Sequence, residues 1–206
     1  MRSDTVDRFL WDLAARVPAP GGGATAGLHL AQAAALLGMV ARYSDGDRYT
    51  EHAETICSVR NRADELRVVA IGLAEDDTRA FAAVGAAYAL PREGTQAKAE
   101  RSAAIAHALV EAGRVPARVV RAAAEVVELA GRLGPVGNPN VLTDVGAAAE
   151  AARAAAGTAR LNVEVNLAGI TDPLARLELA EALEGVDDLL ARADEITADV
   201  RGRIGR

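Results

Sequence analysis

Aromatic side chains make up only 3% of this 206-residue chain, although half of its residues are hydrophobic. A core poor in aromatics is filled by Ala, Leu and Val, and Ala favours helices whose axes approach closely. There is one cysteine, Cys57, which excludes an internal disulfide and suits a reducing cytoplasm. The basic excess of a nucleic-acid binder is missing too: the net charge is −6 and the pI about 5.2. The three histidines, His29, His52 and His107, share no ligand spacing with carboxylates or the cysteine, so no metal site is expected. Met1-Arg2-Ser3-Asp4 runs straight into amphipathic sequence, which predicts no signal peptide. No formal charge falls between Val17 and Ala41, a run long enough to span a bilayer. Its prolines, glycine triplet, His29 and Gln32, and an apolar content of mostly Ala and Gly, predict a buried helix of a soluble protein instead.

Apolar residues at helical spacing fill most of the rest. They predict helices over 5–16, 24–43, 50–90 and 94–112, an interruption at Gly113 and Pro116, and a helix over 117–133. A further helix begins at Leu142, and a last, charged one runs from Asp172-Pro173 to Arg206. Leu161 to Leu167 alternates strictly, as a strand would. No second alternating run exists to pair with it, and a lone strand leaves its backbone unpaired. Read as helix, it sets Asn162 and Asn166 on one face. The expectation is an all-α fold, with residues 1–206 as a single domain.

Several ordered stretches resemble the cyclodeaminase/cyclohydrolase family, which comprises the C-terminal domain of formimidoyltransferase-cyclodeaminase and free-standing methenyltetrahydrofolate cyclohydrolases. They are Phe9-Leu10 with Leu13-Ala14, Pro18-x-Pro20-Gly21-Gly22-Gly23, Met39-Val40, Asp76-Asp77-x-x-Ala80-Phe81-x-x-Val84 and Leu90-Pro91. Gly137-Asn138-x-Asn140-Val141-x-Thr143-Asp144 and Asn162-Val163-x-Val165-Asn166 follow. The resemblance implies a bundle of long antiparallel helices, a homodimer, and an active site near the glycine loop. It also implies a tetrahydrofolate derivative as substrate, with no permanently bound cofactor. The reaction would be hydrolytic opening of the methenyl bridge or loss of ammonia from a formimino group. One stretch departs from the family pattern Leu-Thr-x-Gly-Lys-Lys-x-Tyr. Here Arg48 and Tyr49 remain, but Asp45-Gly46-Asp47 replaces the lysine pair that would attract an anionic glutamate tail. Arg92 keeps a cation after Pro91. The missing lysines leave open a different cyclic amidine or imine substrate, and a non-catalytic helical dimer is the alternative of another class.

The residues also speak for themselves. Gly21 to Gly23, after Pro20, precede an uncharged helix whose first N–H groups lack intrahelical partners. Bare glycine lets a ligand oxygen reach those donors, and Thr25 adds a hydroxyl; the other reading is a loose turn. Asp144 is the first candidate for acid/base work, against a plain role as a first-turn helix acid. Asp77 is the second: Asp76 and Asp77 point about 100° apart on a helix, and Asp77 lies one turn before Phe81, on its presumed buried side. Asn162 and Asn166 offer amides to a ring edge, or to a neighbouring helix. With Asn138 and Asn140 they complete the candidate binding set. On one straight helix Asp144 and Asn162 would share a face about 27 Å apart. Either Gly157 breaks that helix or the two residues serve different places.

Overall fold

The computed structural model describes residues 3–204. Its helices are α1 (Val6–Ala14), α2 (Gly22–Tyr43), α3 (Ala53–Ala89), α4 (Thr95–Leu133), α5 (Leu142–Leu167), α6 (Pro173–Glu181) and α7 (Val186–Ile204). Short 3-10 turns cover Asp47–His52 and Pro139–Val141, and no strand occurs among the described residues. The alternating stretch 161–167 forms the C-terminal end of α5.

Helices α2, α3, α4 and α5 make an antiparallel core. The uncharged α2 is its centre and packs most extensively on α3 and α5. Leu30, Leu37 and Val40 on it are completely enclosed. Gly27 brings α2 so close to α3 that a Cβ there would sit 2.8 Å from the Ala74 backbone nitrogen. Ala-rich faces allow the same closeness on α5, where Ala148, Ala152, Ala155 and Ala159 are fully buried. Helix α7 covers α5 on the side away from α2, with Val200 over Gly146. By contrast, α1 has no buried residue. Beyond Asp77, α3 and the start of α4 leave the core as a hairpin arm: of residues 78–107 only Ala87 is buried.

Three boundaries differ from the periodicity reading. The helix placed over 50–90 begins as a 3-10 turn, and α3 proper starts at Ala53. The expected interruption at Gly113 and Pro116 does not occur; α4 is continuous with Pro116 inside it. A helical proline orphans the carbonyl four residues earlier, here that of Ala112. The Asn166 side chain on α5 donates Nδ2 to that oxygen at 3.4 Å. Tertiary contact thus supplies the bond the sequence withholds. Finally, the tail is two helices, separated at Gly185, whose φ of +77° ends the intervening turn before α7.

Candidate active site

The glycine loop is the N-terminus of α2. Gly21 is its cap in extended conformation, and the Gly21 carbonyl accepts both the Thr25 N–H and the Thr25 hydroxyl at 3.0 Å. The hydroxyl expected to face a ligand therefore ties down its own helix turn. No side chain of the loop caps this helix. That task falls to α3. Asp77 projects from α3 against Gly23, so closely that a Cβ on Gly23 would overlap its carboxyl group. Only glycine admits the carboxyl there. The Ala24 N–H faces it from the first turn of α2.

Two opposing effects set the charge of Asp77. Partial burial disfavours the carboxylate and pushes its pKa up, and this effect is the larger. The Ala24 N–H favours the charged form and works downward. The balance leaves a carboxyl raised above the ordinary range, which suits a group that must take up and return a proton. Asp77 faces inward because it shares a helix face with Ala70, Leu73 and Ala74, all buried. The presumed anchor Phe81 is itself 51% exposed, so the reason offered from the sequence does not hold. Asp76 turns toward α4 instead, paired with Arg79 and with Arg118 at 3.3 Å.

Helix α5 supplies the opposite wall. A Cβ on Gly22 would stand 3.6 Å from Asn162 Nδ2 and 3.9 Å from Thr158 Cγ2. Asn162 donates Nδ2 to the Thr158 carbonyl at 2.8 Å, and Asn166 donates Nδ2 to the Asn162 carbonyl at 2.7 Å. The Asn166 amide nitrogen is thus committed to backbone, while that of Asn162 spends one of its two N–H donors there and its Oδ1 is an acceptor. Pro20 borders a cavity of about 320 Å³ with Phe9, Thr78 and Arg79. A larger one, about 550 Å³, lies beneath α1. It is lined by Phe9, Leu13, Leu28 and Ile71, with Thr25 and His29 on its α2 wall. This larger cavity offers an apolar body site; the carboxyl of raised pKa stands at the glycine end.

The remaining predicted residues lie elsewhere. Asn138 donates Nδ2 to the Tyr43 carbonyl and its N–H to Ser44 Oγ, each at 2.8 Å, and accepts the Asn140 N–H at 3.0 Å. These bonds staple the 3-10 turn to the C-terminal end of α2, about 31 Å from Gly22. Arg48 and Tyr49 belong to the same end: Arg48 is exposed, and its guanidinium stacks 5.9 Å from the ring of buried Tyr49. Asp144 also lies there, half-buried in the first turn of α5. Gly157 does not break α5, so Asp144 stays about 27 Å from Asn162 along one helix. Arg92 sits at the exposed tip of the α3–α4 arm. Within one chain, then, Pro20, Gly21, Gly22, Gly23, Thr25, Asp77, Asn162 and Asn166 gather at one end, and Arg48, Tyr49, Asn138, Asn140 and Asp144 at the other.

Ser44 was not foreseen as part of either end. Its buried hydroxyl donates to the Val40 carbonyl at 2.7 Å while accepting from Asn138. Ser44→Ala should leave the Asn138 N–H without its partner and cost about 1–3 kcal/mol in denaturant unfolding.

Comparison with known proteins identifies the family. A family model described as formiminotransferase-cyclodeaminase matches residues 5–185. The chain is 38% identical over 192 residues to a methenyltetrahydrofolate cyclohydrolase of Methylorubrum extorquens, an alignment covering 93% of this chain and 91% of the relative. It is 30% identical over 167 residues to the formimidoyltransferase-cyclodeaminase of Rattus norvegicus, covering 80% of this chain but 30% of that protein. The crystal structure of a formiminotetrahydrofolate cyclodeaminase from Thermotoga maritima matches with a TM-score of 0.83 at 26% identity, covering 98% of this chain and 96% of that one. The all-helical architecture and these matches agree: the chain belongs to the formiminotransferase-cyclodeaminase family.

Proposed function

We propose that this protein is a folate one-carbon enzyme, a methenyltetrahydrofolate cyclohydrolase in which Asp77 is the proton-transfer group. The observation that carries the reading is the Asp77 carboxyl set against bare glycine backbone, with its pKa raised by burial. The alignment with the Methylorubrum extorquens cyclohydrolase, nearly end to end, supports the substrate class.

The methenyl bridge is a cationic carbon held between two nitrogens. As water adds to that carbon, the Asp77 carboxylate accepts the proton the water loses. The tetrahedral adduct then opens. Asp77 returns its proton to the departing N5 as the carbon–N5 bond breaks, and the hydroxyl proton leaves to solvent as the formyl C=O forms. The N–H groups of Gly22 and Gly23 are offered to the oxygen on that carbon. The positive end of the α2 dipole also disfavours the cation relative to its neutral hydrate, which favours addition. Asn162 Oδ1 is an acceptor for the N–H edge of the pterin. The substrate binds and leaves with each turnover, and no resident cofactor takes part. We place the protein in the cytoplasm, which suits its single exposed thiol.

The near-ultraviolet band of methenyltetrahydrofolate reports the reaction directly. The protein is expected to accelerate loss of that band in proportion to its concentration; a rate equal to buffer alone overturns the reading. The structural match to a formiminotetrahydrofolate cyclodeaminase favours a second reading, ammonia loss at the same site. Ammonia release from 5-formiminotetrahydrofolate, with no effect on the methenyl band, would select it.

A further inference from the structure

The 550 Å³ cavity beneath α1 has a polarity that proton transfer at the glycine loop does not use. On its α2 wall Thr25 stands one turn from Gly22, Leu28 follows, and Gln32 marks the far end. On its α3 wall Ile71, Val68 and Arg67 run in turn. Gly27 lies against Ala74 and the two helices are antiparallel, so Gln32 and Arg67 share one end of the cavity, while Gly23 and Asp77 lie beyond the other. Arg67 is ten residues from Asp77, about 15 Å along α3. It is exposed, and among the described residues it makes no hydrogen bond or ion pair. The carboxylate that feels its charge, Asp64, is already clasped by Arg42 at 2.6 Å. Asp4 borders both this cavity and the smaller one beside Pro20, so the acid on the rim lies toward the glycine end. The third wall is α1. Its Val6 and Leu10 line the cavity yet are 76% and 54% exposed, so folding alone leaves this apolar face uncovered.

We propose that this cavity holds the aryl-amide body of the substrate and that Arg67 is a specificity-determining residue, pairing with the carboxylate at the end of that body. The order of groups along the cavity matches the order along such a molecule. The bridge carbon stands at Asp77, with the pterin on one side of it toward Asn162. On the other side, the N10-linked ring passes Thr25 and lies between α1 and the Leu28 and Ile71 side chains, covering the apolar face that folding leaves open. The glutamate carboxylate then reaches the Arg67 guanidinium, whose planar fork pairs with it through two parallel hydrogen bonds. Gln32 supplies a further amide donor at that end. A cationic bridge near acids and an anionic tail at a lone cation fix the direction in which the molecule enters. This assignment rests on the folate reading of the site; it adds what recognises the half of the substrate remote from the reaction.

Arg67→Ala and Arg67→Lys test it, because an exposed side chain without a partner can be replaced with little effect on the fold. Two substrates are compared, methenyltetrahydrofolate and methenyltetrahydropteroate, which share the bridge and differ only in the glutamate. With the wild type, KM should be about tenfold lower for the glutamate-bearing substrate, as a hydrogen-bonded charge pair contributes, and kcat the same. Arg67→Ala should erase the difference: KM for methenyltetrahydrofolate rises about tenfold, kcat holds, and neither constant changes for the pteroate. Arg67→Lys keeps the charge without the fork and should fall between. Equal KM for the two substrates in the wild type, or an Arg67→Ala loss that is the same for both, overturns the assignment. Calorimetry with tetrahydrofolate and tetrahydropteroate separates the subsite from the chemistry, since binding needs no turnover. Tighter binding of tetrahydrofolate by the wild type but not by Arg67→Ala, in a protein that does not open the methenyl bridge, supports the subsite and removes the cyclohydrolase reading. Bridge opening by Arg67→Ala with the wild-type KM supports that reading and overturns the subsite.

Discussion

Asp77→Asn is expected to slow opening of the methenyl bridge by about 10²- to 10⁴-fold, the usual contribution of a positioned proton-transfer group, while leaving the fold at least as stable. The stability half follows from the direction of the pKa. Burial raises the Asp77 carboxyl in the folded chain above its unfolded value. Above that raised value the wild type therefore carries the cost of a partly desolvated charge, which an amide lacks. As pH falls through the raised value, the folded carboxyl protonates first and the cost is relieved; below the ordinary carboxylate value both states are neutral and the difference is gone. Thermal unfolding of both proteins from about pH 7 to about pH 4 should thus show the variant ahead at neutral pH and the two converging in acid. A variant of unchanged rate removes Asp77 from the chemistry. A variant less stable at neutral pH than in acid, relative to wild type, contradicts the assigned electrostatics.

Gly23→Ala should be the second most damaging change in the site. Its Cβ would overlap the Asp77 carboxyl, lying 2.7 Å even from the farther oxygen Oδ2. The short aspartate side chain can swing aside only by leaving the α2 terminus, so position is lost before the fold is. About a hundredfold loss of kcat is expected, with a cooperative unfolding transition retained. Gly22→Ala is the matched control. There the new methyl meets only Asn162 Nδ2 at 3.6 Å and Thr158 Cγ2 at 3.9 Å, ordinary contacts. It should keep the larger part of the activity. Equal losses at the two positions would mean that the loop, and not the carboxyl it admits, is what matters.

The helices were legible because their signals are local. A charge-free run with Ala, Leu and Val at helical spacing reads as a core helix whatever surrounds it, and α2 is that helix. Three glycines before it marked a terminus open to close approach, and the structure sets Asp77 there. What stayed hidden depends on distant partners. Pro116 signals a break until Asn166 is seen bonding the carbonyl it frees, and those residues are fifty positions apart. Asp144 carried the stronger motif and Asp77 the weaker, yet helix rise alone separates Asp144 from the glycine loop once Gly157 proves helical. Asn138 and Asn140 illustrate a different limit. Their residue types suit ligand binding, but the Asn138 amide is spent on the Tyr43 carbonyl and on the Asn140 N–H, which closes a turn. Composition cannot distinguish an amide spent on the backbone from one held in reserve.

A crystal structure with a bound tetrahydrofolate derivative measures the central claim most directly, as the distance from the substrate's one-carbon group to each carboxyl. The one-carbon group should lie within hydrogen-bond reach of Asp77, directly or through one water, with its oxygen toward the Gly22 and Gly23 N–H groups. A folate seated in the cavity beneath α1, with its one-carbon group turned from Asp77, would contradict the account.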